Sequence, residues 1–136
     1  MLRAMTLPAP RRGSSRRSTT RVSPATRRAL RERALGCCEV CGVHGATNAH
    51  HRVNASQGGR PTLGNLMLVC GSGTTGCHGR ITTNPSWARA HGYSVGGTFE
   101  PCDVAALRWS RWTGAAEWVL LDDRGGITPT ERVRPK

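Results

Sequence analysis

The chain has 136 residues, 37% hydrophobic and 4% aromatic, enough for one small domain whose thin core calls for a staple such as a metal or disulfides. Twenty Lys+Arg against eight Asp+Glu give a net charge of +12, which excludes an acidic solvating protein and points to a polyanionic partner. No stretch approaches 18 consecutive apolar residues, so no membrane-spanning segment and no membrane partner are expected.

All the basic residues except Lys136 are Arg, whose planar fork suits phosphate; a GC-rich genome would leave the same excess of Arg, Ala and Gly. The charge is concentrated at the start. Residues 1–36 hold ten Arg and a single acid, Glu32. Residues 1–22 combine six of those Arg with Pro, Gly, Ser and Thr and almost no large apolar side chains. Such a segment cannot bury enough surface to offset its ordering entropy, so a disordered basic arm is expected there. An organelle transit peptide and an upstream start codon are the competing readings.

A helix is expected next, with Ser23 as its cap, Pro24 in its first turn and Gly36 closing it. Ala29, Leu30 and Ala34 form its apolar stripe. Arg27, Arg28 and Arg31 lie elsewhere on its surface and are candidates for contacting phosphates.

Six Cys follow, at 37, 38, 41, 70, 77 and 102. Cys38-Glu39-Val40-Cys41-Gly42 has the form of a metal knuckle. Cys70 and Cys77 enclose a run of Gly, Ser and Thr that can loop out and bring their sulfurs together. Two such pairs about 30 residues apart suit one tetrahedral structural zinc held by Cys38, Cys41, Cys70 and Cys77. Disulfides are the alternative; no leader with an apolar core is legible, so a reducing, cytoplasmic setting is expected. Cys37 would form a poorer knuckle with Cys41, Cys102 has no evident partner, and His44 is expected to be exposed.

Between the Cys pairs, a strand-like Ala46–Val53 and the apolar Leu66–Val69 are expected to pair as a hairpin, joined by a loop full of turn residues. A short helix should begin near His78. A second, over residues 84–92, has Asn84 as its cap and Gly92 as its end. Leu107-Arg108-Trp109-Ser110-Arg111-Trp112 interleaves Arg with Trp; these Trp are expected in the core, packed on a closing hairpin over residues 118–127, with base stacking as the alternative.

The ordered set Cys-x2-Cys, His50-His51, Gly64-Asn65-Leu66, Val69-Cys70 and Cys77-His78 resembles the HNH endonuclease family, the ββα-metal or His-Me finger nucleases, over about residues 24–100. The stretch from Leu68 to Gly79, and the closing Trp118–Gly126, are similar to small HNH proteins of actinobacterial phages and prophages. The resemblance implies an α+β fold, a small zinc-stapled ββα-metal domain over residues 23–100, with the arm before it and a C-terminal extension, a β-hairpin packed on the domain, over residues 101–136. It places His50 and His78 as ligands of a catalytic divalent metal, His51 as general base and Asn65 as the residue that orients the His51 ring. Imidazole ligands leave that metal open among Mg, Mn, Ni, Co and Zn. Some relatives carry a further ligand four residues after the helix His; here that position is Thr82. Arg52 and Arg80, beside the motif residues, are candidates for holding the scissile phosphate.

The expected function is therefore metal-dependent hydrolysis of DNA phosphodiester bonds. Few base-reading residues are identifiable, so low sequence specificity is expected. The resemblance further implies phage DNA processing or packaging with a terminase as partner. A non-catalytic zinc-ribbon DNA-binding module and, from the Arg/Ser-rich arm, an RNA-binding protein are the rival readings. The sequence does not fix the oligomeric state.

Overall fold

The computed structural model describes residues 21–131. Except for Arg21 and Val22, the expected basic arm lies outside the described residues. Val22, just ahead of the first helix, is buried in the main core.

That helix, α1 (Pro24–Ala34), starts as the sequence dictates: the Ser23 side chain accepts a hydrogen bond from Thr26 N, and Pro24 occupies the first turn. It ends through two left-handed residues, Leu35 and Gly36, the Gly36 N–H returning to Arg31 O at 3.0 Å. Leu30 and Ala34 are its buried side chains, while Arg27, Arg28 and Arg31 are exposed.

After the Cys38–Cys41 knuckle come β1 (Asn48–His51) and β2 (Leu66–Val69), antiparallel, with His50 opposite Met67 and His51 opposite Leu66. Every residue of β2 is buried, as its continuous apolar run requires. The long connection contains one turn of 3-10 helix at Ala55–Gln57. The chain then passes Cys70 into α2 (Gly76–Thr83) and α3 (Pro85–Ala90). The Asn84 side chain does not cap α3: its amide donates back to Arg80 O and Thr83 Oγ1 and so closes the end of α2 instead.

The C-terminal segment exceeds the expected hairpin. It forms a three-stranded antiparallel sheet of β3 (Ala106–Ser110), β4 (Ala115–Leu121) and β5 (Ile127–Pro129), with β4 in the middle. Val119 and Leu121 of β4 join Leu30, Leu66, Met67, Ile81 and Ala88 in one core, so the ββα unit and the sheet share their apolar interior.

An ionic cluster joins the same parts. Glu39, 1% exposed, takes two hydrogen bonds from Arg33 at 2.7 and 3.1 Å and one from Arg108 Nε. It also accepts the Leu68 N–H at 2.8 Å. Burial opposes the charge on Glu39, but the two guanidiniums prevail and hold its carboxyl below the ordinary range. One carboxylate in the knuckle thus ties α1, β2 and β3 together.

Candidate metal centres and nucleic-acid interface

Four cysteines converge where the knuckle meets the 70–77 loop. The Sγ atoms of Cys38, Cys41, Cys70 and Cys77 all lie within 4.8 Å of one another, and Cys41 Sγ stands 3.7 Å from Cys70 Sγ. A tetrahedral ion with Zn–S bonds of about 2.3 Å needs sulfurs about 3.8 Å apart, so this set could bind a structural zinc. Backbone N–H groups support the sulfurs: Val40 and Cys41 donate to Cys38 Sγ, and Cys77 donates to Cys70 Sγ. The loop needs its glycines. A Cβ on Gly71 would sit 2.0 Å from Thr75 O, and Gly71 has φ +86°.

Burial and the neighbouring thiols move the ionisation of this set in opposite directions. Burial, then the neighbouring charge of Cys38, pushes Cys77 well above the ordinary thiol range. Burial works the same way at Cys70, but hydrogen bonds from Cys77 and neighbouring thiols outweigh it and draw that group down. Cys37 is buried but outside the set, its thiol directed to Leu35 O. Cys102 lies 3.6 Å from Asp123 Oδ1. All six cysteines are free thiols.

The second cluster is built from imidazoles. On a strand, neighbouring side chains point to opposite faces, so His50 and His51 serve different sides of β1. His50 is buried, with its Nε2 2.6 Å from Tyr93 O. A carbonyl can only accept, so Nε2 carries the proton, and Nδ1 is the nitrogen with a lone pair to offer. Burial is the main cause that lowers the His50 pKa to about 4, leaving the ring neutral as a metal ligand must be.

His78, in the first turns of α2, stands edge-on to His50 with ring centroids 5.5 Å apart. Its Nδ1 is buried and has no hydrogen-bond partner among the described residues, and burial lowers its pKa too. A buried imidazole nitrogen without a donor beside a second neutral imidazole fits a divalent cation of the kind that accepts nitrogen ligands. Thr82 stays out of this set, its hydroxyl donating to His78 O at 3.0 Å.

Two expected roles change. Asn65 is fully buried, and its amide bonds to backbone: Oδ1 accepts from Val53 N at 2.8 Å, and Nδ2 donates to Val53 O and Arg60 O. It therefore pins the chain two residues beyond His51 and ties it to the 60–65 turn. The correction at Arg52 is larger. Expected at the scissile phosphate, it is 1% exposed, and its guanidinium donates to the carbonyls of Gly92, Gly64, Pro101 and Val104. A fork already engaged by four carbonyls cannot hold a phosphate.

Arg80 is exposed on α2, its guanidinium 4.0 Å from the Trp87 ring centroid. Arg27 and Arg31 line a hollow of about 100 Å³ that reaches Thr47 and Ala49 beside β1. Arg21, Arg27, Arg28 and Arg31 line a wider one, with Glu32 as its one acid. The two Trp of the 107–112 segment separate: Trp109 lies against Gly42 so closely that a Cβ there would meet its ring at 2.5 Å, whereas Trp112 at the β3–β4 turn is 84% exposed, contrary to the expectation that both fill the core.

Sequence reasoning missed Glu39, Arg33, Arg108 and Tyr93. The available signal was Glu39 itself, the one acid between residues 33 and 99. In a chain this basic, an acid inside a metal knuckle marks an ionic anchor.

A β-hairpin followed by a helix, with imidazoles on strand and helix and four cysteines framing both, defines a ββα-metal domain. Residues 38–83 match the model of the HNH endonuclease family, about a third of the chain, and this segment is an HNH domain. No curated protein and no solved structure matches the chain. No helix among the described residues is long and apolar enough to cross a membrane.

Proposed function

We propose that the protein is a metal-dependent endonuclease that hydrolyses DNA phosphodiester bonds with little sequence preference. HNH nucleases act on DNA, and the observation that carries the reading here is the His50–His78 pair: a neutral ring with Nδ1 unprotonated beside a buried Nδ1 that has no hydrogen-bond partner among the described residues. A divalent ion bound there would act as a Lewis acid on the phosphoryl oxygen and the departing 3′ oxygen. His51, on the other face of β1, takes the proton of the attacking water as its oxygen bonds to phosphorus and the P–O3′ bond breaks. Asn65 holds the backbone beyond His51, so the base keeps its place on the strand end. The four cysteines bind one structural zinc and fix the origin of α2, and hence His78, relative to β1.

Affinity comes from exposed guanidiniums: Arg27, Arg28 and Arg31 on α1, and Arg80 on α2. The hollow between Arg27, Arg31 and Ala49 supports this placement, since Ala49 lies on the same face of β1 as His51. A place in phage DNA processing or packaging beside a terminase rests only on the resemblance of residues 68–79 and 118–126. Incubating zinc-loaded protein with supercoiled plasmid and Mg, Mn, Ni or Co tests the reading. Nicked or linear product that vanishes with chelator is expected. Tight DNA binding with no product in any metal would make the chain a binding module.

A further inference from the structure

We propose that Arg52 is a positioning residue of the His50–His78 centre: its guanidinium holds the 91–95 segment, whose Tyr93 carbonyl fixes the His50 ring so that Nδ1 faces a cation. The inference rests on the reading of His50 as a metal ligand.

The argument begins with the segment itself. Residues 91–95 leave α3 and cross beneath the end of β1. Gly92 is left-handed, φ +77°, and a Cβ there would lie 2.0 Å from Ala105 O, so only glycine lets the chain pass this close to the start of β3. Tyr93 O, the next carbonyl, takes the His50 Nε2 hydrogen at 2.6 Å.

That carbonyl must be held steady for the contact to orient anything, and Arg52 surrounds it. Arg52 Nε donates to Gly92 O at 2.8 Å, one residue before Tyr93. Arg52 O accepts from Val95 N at 2.8 Å, two residues after it. Its Nη1 and Nη2 groups anchor the fork to Gly64, Pro101 and Val104. Arg52 also lies two residues from His50 along the chain, its own N–H bound to Asn65 O. One residue thus fixes both the strand end that carries the His50 ring and the carbonyl that sets the ring's tautomer. A carbonyl accepting the distal N–H of a ligating histidine is the usual second contact of such ligands, and losing it costs about 10–100-fold in metal affinity. Only a planar fork can serve this many carbonyls at once; an ammonium cannot.

The test uses the full chain loaded with zinc and free of any second metal. Nitrogen-15 NMR of the His50 ring in the wild type should show the Nε2–H tautomer. Arg52→Lys and Arg52→Gln should retain one zinc per chain and a cooperative melting transition, show mixed His50 tautomers, and bind Ni²⁺ at least about tenfold more weakly by calorimetry. An Nδ1–H tautomer in the wild type overturns the proposal. So does Ni²⁺ affinity within about threefold of wild type in a folded variant. Failure of both variants to fold would make Arg52 a folding residue only, and likewise overturns it. None of these readings uses DNA, so a plasmid assay that shows no cleavage would sink the nuclease reading without touching this result.

Discussion

Replacing Glu39 with Met exposes how the knuckle is tied to the rest of the fold. Methionine nearly conserves the volume of glutamate but accepts no useful hydrogen bond. The change would leave the guanidiniums of Arg33 and Arg108 without their carboxylate and Leu68 N without an acceptor, at a site 1% exposed. Breaking one partner of a buried ionic set costs about 3–5 kcal/mol. Arg33 keeps its bonds to Leu63 O and Leu66 O, and Arg108 keeps its bond to Arg33 O, so the lower half of that range is expected. For a chain of this size about 3 kcal/mol lowers Tm by roughly 10 °C. Thermal and urea unfolding of zinc-saturated wild type and Glu39→Met would measure it. Arg108→Met added to Glu39→Met should recover part of the loss, because it removes one of the stranded charges. A loss below about 1 kcal/mol, the value of an exposed pair, would refute the buried-anchor reasoning.

Three further outcomes follow from placement. Cys77→Ser should lose both the tightly bound zinc and the folded state, since structural zinc contributes about 10–16 kcal/mol of apparent binding energy in isolated fingers; Cys37→Ser should retain one zinc by elemental analysis. Trp112→Ala should change stability by no more than about 0.5 kcal/mol, whereas Trp109→Ala should cost about 2 kcal/mol or more, as read by denaturant midpoints. Deleting residues 1–20, which carry five Arg and no acid, should flatten the slope of log affinity against log salt on duplex DNA by about 2 units if half of those Arg reach phosphates; an unchanged slope would make the segment a bystander.

What was legible in the sequence was whatever local chemistry dictates. Ser23 and Pro24 announce a helix start on their own. The Cys38–Cys41 spacing followed by Gly42 suits a knuckle, and the apolar run Leu66–Val69, bounded by turn residues and ending at Cys70, suits a buried strand. The histidines were readable because their order between the Cys pairs is itself the pattern. The roles of Arg52 and Glu39 were not, since a charged residue reads as surface unless its partners are known. Those partners are carbonyls at 64, 92, 101 and 104, and guanidiniums at 33 and 108. Only tertiary folding brings them together. Trp109 and Trp112 likewise share one local pattern, and their fates part because β3 ends at Ser110, leaving Trp109 on the knuckle and Trp112 on the turn.

The most direct test of the account is single-turnover cleavage at saturating DNA by wild type and His51→Ala, each zinc-loaded and supplied with the most active divalent metal. The account predicts a loss on the order of 10²–10⁴ in rate for the variant, as for removal of a general base. DNA affinity and zinc content should stay unchanged, because His51 contributes neither a cysteine ligand nor a phosphate contact. Cleavage by His51→Ala within about threefold of wild type would remove His51 from the chemistry and contradict the mechanism.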